Sequence, residues 1–137
     1  MSPSAASPGG TLVLDSEGLA KAVLRDRTMS GWLALARADD LRVITSAATL
    51  VEVMHPGINR PALEWTLSRL VVEPVTETIA RRAAALLADA GLHGHRYAID
   101  AMLGATALAA PGPVTILTSD PEDLAALCGG RVTVLKV

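Results

Sequence analysis

The chain has 137 residues, a formal net charge of −2 and a single cysteine, and 50 % of its residues are hydrophobic. That length accommodates one domain and excludes two ordinary ones, while the hydrophobic content excludes wholesale disorder. The near-neutral charge lacks the footprint of a sequence-specific DNA-binding domain, and Cys128 alone forms no internal disulfide, which accords with a reducing cytoplasm.

Residues 1–10 are Ser-, Pro-, Ala- and Gly-rich and read as a flexible N-terminal segment without the basic start and apolar middle of a signal peptide; residues 11–137 are expected to form the domain. Thr11–Leu14 is a short apolar run, read as a buried strand, and Asp15 follows at once. Ser16–Asp26 and Met29–Ala38 have helical spacing, with Leu19, Val23, Trp32, Leu35 and Ala36 expected to face inward. Leu41–Thr45 is a second strand. Ser46 is expected to cap a helix running to about Met54, which His55-Pro56-Gly57 ends. Pro61–Leu70 is a helix and Val71–Pro74 a short strand. Thr76 and Glu77 open a long helix that Gly91 ends. A helix over Arg96–Ala110 is stopped by Pro111-Gly112-Pro113. A strand at Val114–Thr118, a helix at Asp120–Leu127 and a strand at Val132–Leu135 complete the chain. No uncharged apolar run approaches the ~20 residues of a membrane span.

Strands alternate with helices, and the strands show no polar/apolar alternation. This pattern predicts an α/β fold with a parallel sheet covered on both faces. In such sheets ligands bind beyond the carboxyl ends of the strands, where the strand order reverses. Asp15 and Asp120 each fall just after a strand.

Four acids stand in otherwise uncharged surroundings. Asp15 is the only charged residue from Met1 to Ser16, Glu52 the only Asp, Glu, Lys or Arg between Arg42 and Arg60, and Asp100 the only charged residue from Tyr97 to Ser119. The segments around them are apolar almost all round, so the acids are expected to face a crevice rather than open solvent. Two carboxylates in contact repel by about 4 kcal/mol at an effective dielectric near 20. A divalent cation removes that repulsion, and an all-oxygen donor set favours Mg²⁺, with Mn²⁺ as substitute, over zinc. Each acid has a plainer reading. Asp15 and Asp120 suit helix N-caps, the latter with Pro121 at the first helical position, and Arg96 stands four residues before Asp100, at the spacing of a surface ion pair.

The segments LVLDS (Leu12–Ser16), TLVEV (Thr49–Val53), AIDAMLGATAL (Ala98–Leu108) and LTSDPEDL (Leu117–Leu124), in this order and spacing, resemble the PIN-domain ribonucleases, and among them the VapC-like toxins of type II toxin–antitoxin modules. The resemblance runs from Leu12 to about Val134. It implies a three-layer α/β/α sandwich with a central parallel sheet and one or two Mg²⁺ or Mn²⁺ ions. Asp15, Glu52, Asp100 and Asp120 fall on the four family acids. Asp123 matches a further acid acting through water, and Thr118 a hydroxyl that supports the cluster. Where many relatives carry a small polar residue two places after the first acid, this chain has Glu17. The resemblance further implies an RNA substrate, a homodimer, and a cognate antitoxin whose C-terminal segment covers the site and masks the helices near Trp32.

On this reading Asp15, Asp100 and Asp120 ligate the ion directly or through water, and Glu52 ligates it or orients the attacking water. Arg96 and Arg60 are candidate contacts to the RNA backbone, whereas His93 and His95 read as surface residues, and Trp32 and Trp65 as core or interface. Two other function classes stay open: another Mg²⁺-dependent phosphoryl-transfer α/β enzyme of the phosphatase or receiver type, with Asp15 as nucleophile, and a non-catalytic interaction module on the same fold.

Overall fold

The computed structural model describes residues 9–137. The expected flexible segment at residues 1–10 therefore lies outside the described residues, apart from Gly9 and Gly10; Gly10 is buried, and its carbonyl accepts a hydrogen bond from Arg42 N at 3.0 Å. Among the described residues the strands are β1 (Thr11–Leu14), β2 (Arg42–Ser46), β3 (Val71–Glu73), β4 (Val114–Thr118) and β5 (Thr133–Lys136). They form one sheet in the order β3-β2-β1-β4-β5, and every neighbouring pair is parallel. The helices are α1 (Ser16–Val23), α2 (Arg27–Ala38), α3 (Thr49–Val53), α4 (Arg60–Leu67), α5 (Glu77–Ala90), α6 (Gly94–Ala109) and α7 (Pro121–Cys128). The expected α/β/α sandwich is the observed architecture.

Alternate residues of the strands explain the three layers. Side chains of a strand point alternately to its two faces. Leu12 and Leu14 of β1, with Leu117 of β4, pack with Leu19 and Val23 of α1, Met29 of α2 and Leu63 of α4. Val13 of β1, with Val114 and Ile116 of β4, packs with Leu103 and Ala107 of α6 and with Leu124 and Cys128 of α7. Both faces are thus buried, which is why the strands read as unbroken apolar runs; each such leucine contributes about 1.5–3 kcal/mol by leaving water. α5 lies against α6, with Ala83 and Leu86 meeting Ala101 and Ala105.

The connections place the site. From β1 the chain steps outward to β2 and β3, then returns past β1 to lay down β4 and β5 on its other side. The order therefore reverses between β1 and β4, and their carboxyl ends deliver Leu14-Asp15 and Thr118 to one crevice.

Three local expectations are corrected. Leu35 is exposed; α2 turns Met29 and Ala36 inward, with Trp32 and Leu33 half-buried, because Asp26 caps this helix and fixes its phase from Arg27. Ser46 does not cap a long helix: its Oγ accepts from Ala48 N at 3.1 Å in a tight turn, and only the five residues of α3 follow. α4 begins at Arg60 and takes its cap from Asn59, whose Oδ1 accepts from Ala62 N. Thr76 and Gly91 bound α5 as expected, the former accepting from Ile79 N and the latter left-handed at φ 68°. No helix among the described residues is long and apolar enough to cross a membrane.

Candidate active site

Asp15 sits at the centre of the crevice. It is the N-cap of α1: its Oδ1 accepts from Gly18 N at 2.7 Å, so the structural reading of this residue holds. Its other oxygen, Oδ2, accepts from the Thr118 hydroxyl, which spans from β4 to β1. Thr118 Oγ1 also accepts from Asp120 N at 3.0 Å, so one buried hydroxyl ties the first acid to the backbone of the last. A carboxylate offers about four lone-pair directions, and two remain on Asp15 after these bonds. Burial pushes its carboxyl above the ordinary carboxylate value; the bonds from Thr118 and Gly18 pull it down, and the charges of Glu17 and Glu52 push it up again.

Asp100 reaches the same place from the opposite layer. α6 precedes a parallel strand and so runs against the sheet, which puts its first turns at the carboxyl end. The stripe at i+3 and i+7 from Asp100 consists of Leu103 and Ala107, both buried against the sheet, so Asp100 continues the inward stripe above the strand ends. Its carboxyl is raised from 3.8 to about 6, first by burial and then by the charges of Glu52, Asp15, Asp123 and Asp120. Glu52, Asp15, Asp120 and Asp123 thus act on Asp100 from three other segments of chain. The alternative ion pair is absent: Arg96 does not bridge to Asp100, and the salt bridges among the described residues are Arg42–Glu73 and Arg81–Glu77. Arg96 instead lies over the Tyr97 ring, 5.2 Å from its centroid, and its charge pulls the Asp123 carboxyl down.

Asp120 occupies the N-cap position of α7 yet makes no capping bond with its side chain, which is exposed. The capping reading of Asp120, attractive from Asp-Pro-Glu-Asp, is thus not what its carboxylate does. Burial and the neighbouring Asp120 raise the Asp123 carboxyl. Glu52 departs from expectation in another way. α3 buries Thr49 and Val53 and leaves Glu52 exposed, so this acid faces solvent while still acting electrostatically on Asp15 and Asp100.

Among the described residues, no three acid, His or Cys side chains stand close enough to form a ready-made metal site. The chemistry of the donors nevertheless fits a hard divalent cation. They are all carboxylates, none of the acids Asp15, Glu52, Asp100, Asp120 or Asp123 is in a salt bridge, and their mutual repulsion already raises Asp100. Asp15, Asp100 and Asp120 would hold the ion, with Glu52 turning in.

Among the other candidates, Arg60 is the exposed first residue of α4, and His93 and His95 are exposed at the start of α6. Trp32 is half-buried on the core of the α1–α2 side. Trp65 is 55 % exposed, with the Arg25 and Arg69 guanidinium carbons 5.5 and 5.4 Å from its ring centroid. Glu17 was set aside in sequence as a departure, yet its charge falls on Asp15. Its place in the first turn beyond the cap was the signal for this.

Replacing Thr118 with valine tests the tie between the strands. The loss of a buried hydrogen bond to a charged partner should lower stability by about 1–3 kcal/mol in urea denaturation, with serine restoring most of it. Equal stability of Thr118→Val and the parent would contradict the assigned bond.

The fold and the crevice define a doubly wound, all-parallel α/β protein with electrostatically coupled carboxylates where the strand order reverses. Residues 12–129 match the PIN domain family, and the chain belongs to that family, whose members are generally nucleases. Among solved structures, the complex of VapBC2 from Rickettsia felis with a DNA fragment from its promoter contains a chain similar to this one. The TM-score is 0.67 at 16 % identity over 93 % of this chain and 98 % of that one. A chain of FitAB bound to the IR36 DNA fragment gives 0.61 at 21 % identity, over 91 % and 94 %. At these identities the likeness is one of fold. No curated protein matches the sequence.

Proposed function

We propose that this chain is a Mg²⁺-dependent endoribonuclease, active also with Mn²⁺, and the toxin of a toxin–antitoxin pair. The observation that carries the reading is the electrostatic convergence of Glu52, Asp15, Asp123 and Asp120 on Asp100 at the carboxyl end of a parallel sheet. A bound divalent cation supplies Lewis-acid polarisation of a phosphodiester and makes water a better nucleophile at neutral pH.

The chain's own groups have separable tasks. Thr118 and Gly18 fix the Asp15 carboxylate in one orientation, which limits reorganisation when substrate arrives. Asp100 is held ready by the apolar stripe beneath it. Glu52, on an exposed helix face, is free to turn toward the phosphate and orient the attacking water. Arg96, beside Asp123, is the better placed of the two proposed arginines to meet the RNA backbone; Arg60 is the weaker candidate. No side chain of the cluster need activate a ribose 2′-hydroxyl, so the products should carry a 5′-phosphate and a 3′-hydroxyl.

A phosphatase or receiver reading requires Asp15 as a free nucleophile. That reading leaves Glu52 and Asp100, which act electrostatically on the same site, without a task. The likeness to chains of VapBC2 and FitAB, toxin–antitoxin complexes, supports a cognate antitoxin as partner; the homodimer rests on the sequence resemblance alone.

The test is incubation of the purified protein with single-stranded RNA in Mg²⁺ and then in excess EDTA. Cleavage that EDTA abolishes, with 5′-phosphate ends, is the expected outcome. Cleavage indifferent to chelation, or products ending in a 2′,3′-cyclic phosphate, would reject the mechanism.

A further inference from the structure

The buried threonines of this chain are satisfied with one exception. Thr11 donates to Pro111 O, Thr45 to Leu14 O, Thr66 to Ala62 O, Thr106 to Met102 O and Thr118 to Asp15. Thr49, only 1 % exposed, has an Oγ1 with no hydrogen-bond partner at all, the only such buried side-chain atom among the described residues. The reason is positional. Thr66 and Thr106 lie inside helices and return their hydroxyls to the carbonyl four residues earlier. Thr49 opens α3, and the residue four places before it, Thr45, belongs to β2.

An orphaned buried hydroxyl costs about 1–3 kcal/mol, so a valine of the same shape would be the more stable choice. Its surroundings show what it is suited to. α3 packs on α1, the helix that Asp15 caps, and starts three residues after β2 ends at Ser46. Glu52 stands three residues on from Thr49, the spacing of neighbours on one helix face, and faces solvent although its charge reaches Asp15 and Asp100. Ala48, at the N-cap position of α3, makes no side-chain capping bond.

We propose that Thr49 is a positioning residue for Glu52. When the acids close on a divalent cation, Glu52 turns inward and its carboxylate accepts the hydrogen bond that the Thr49 hydroxyl lacks in the open arrangement. The hydroxyl is unpaired in the free protein and paired in the loaded one, so closure and cation binding strengthen each other. The inference rests on the cation reading above and adds to it the residue that completes the site. The competing structural role is a capping box, for Thr-Leu-Val-Glu has the right spacing, with Thr49 Oγ1 taking the Glu52 N–H. In the structure that bond is not made.

The two roles separate by experiment. Mn²⁺ binding, measured by electron paramagnetic resonance, and thermal melting in EDTA are compared for the parent, Thr49→Val, Thr49→Ser and Asp100→Asn. The expected result is a Thr49→Val protein that melts no lower than the parent in EDTA but binds Mn²⁺ about tenfold more weakly, the scale of one hydrogen bond to a charged group. Thr49→Ser should bind like the parent. Thr49→Val melting well below the parent in EDTA would assign the hydroxyl to the helix cap and overturn the proposal. Parent-like Mn²⁺ affinity in Thr49→Val, with binding lost in Asp100→Asn, would overturn it while leaving the cation site standing. Failure of the parent itself to bind Mn²⁺ would remove the cation reading and this inference with it.

Discussion

Asp100→Asn should abolish RNA cleavage, by roughly a thousandfold or more as for other essential groups of a cooperating site, and yet make the metal-free protein more stable. The carboxyl of Asp100 is raised to about 6 because burial and four neighbouring acids disfavour its charge. A folded value above the unfolded one means that the native state binds the proton more tightly. The stabilising effect of that proton is complete below pH 3.8, declines as pH rises, and is gone above about pH 6. An asparagine, neutral at every pH, escapes this loss. In EDTA the two proteins should therefore melt alike near pH 3.8, and the variant should lead by about 2 kcal/mol above pH 6, from a displacement of roughly two pH units at 1.36 kcal/mol each, reduced for screening. Mg²⁺ should stabilise the parent and not the variant. A lead that shrinks as pH rises would contradict the repulsion assigned to this cluster.

The second large effect lies at the other end of the sheet. Gly10 has φ +113°, a conformation closed to side chains, and a Cβ placed there would sit 2.1 Å from the carbonyl oxygen of Pro113. The atoms it would meet are the backbone O and C of Pro113 and the Cδ of its closed ring, so nothing can swing aside. Beside this point Thr11 N donates to Pro113 O at 2.9 Å and Arg42 N to Gly10 O at 3.0 Å, so the starts of β1, β2 and β4 are all held together there. Gly10→Ala should cost on the order of 3 kcal/mol or more, read from urea denaturation. The outward Gly31, with nothing within 4 Å of its added Cβ, lies within α2 and should gain slightly from the same change. Equal effects at both positions would show that Gly10 is not strained as described.

The sheet and the two acids that follow its central strands were legible because β1 and β4 are buried on both faces; each apolar run ends where the crevice begins. Helix α5 was legible from its chemical punctuation, Thr76 before and Gly91 after. The phase of α2 was not, because Trp32, Leu33 and Leu35 spread apolar side chains around nearly half of the helix and several registers fit equally. The exposure of Glu52 was hidden for a related reason: an apolar neighbourhood in sequence says little about a five-residue helix, whose Val51 is itself 78 % exposed. Spacing also permitted an Arg96–Asp100 pair. Only the fold shows that the Arg96 guanidinium turns toward the Tyr97 ring and Asp123, leaving Asp100 to its acidic neighbours. The orphan hydroxyl of Thr49 was invisible in sequence, since most buried threonines find a carbonyl and nothing in the local residues says which will not.

The most direct examination of the clustered acids is a crystal soaked in MnCl₂ and recorded at the manganese edge. An anomalous peak should lie in the crevice, held by carboxylate oxygens of Asp15 and Asp100 either directly, at about 2.1 Å, or through one water, with Asp120 on the same ion and Glu52 turned inward. A map with no peak in the crevice, or with manganese bound only by acids elsewhere on the surface, would contradict it.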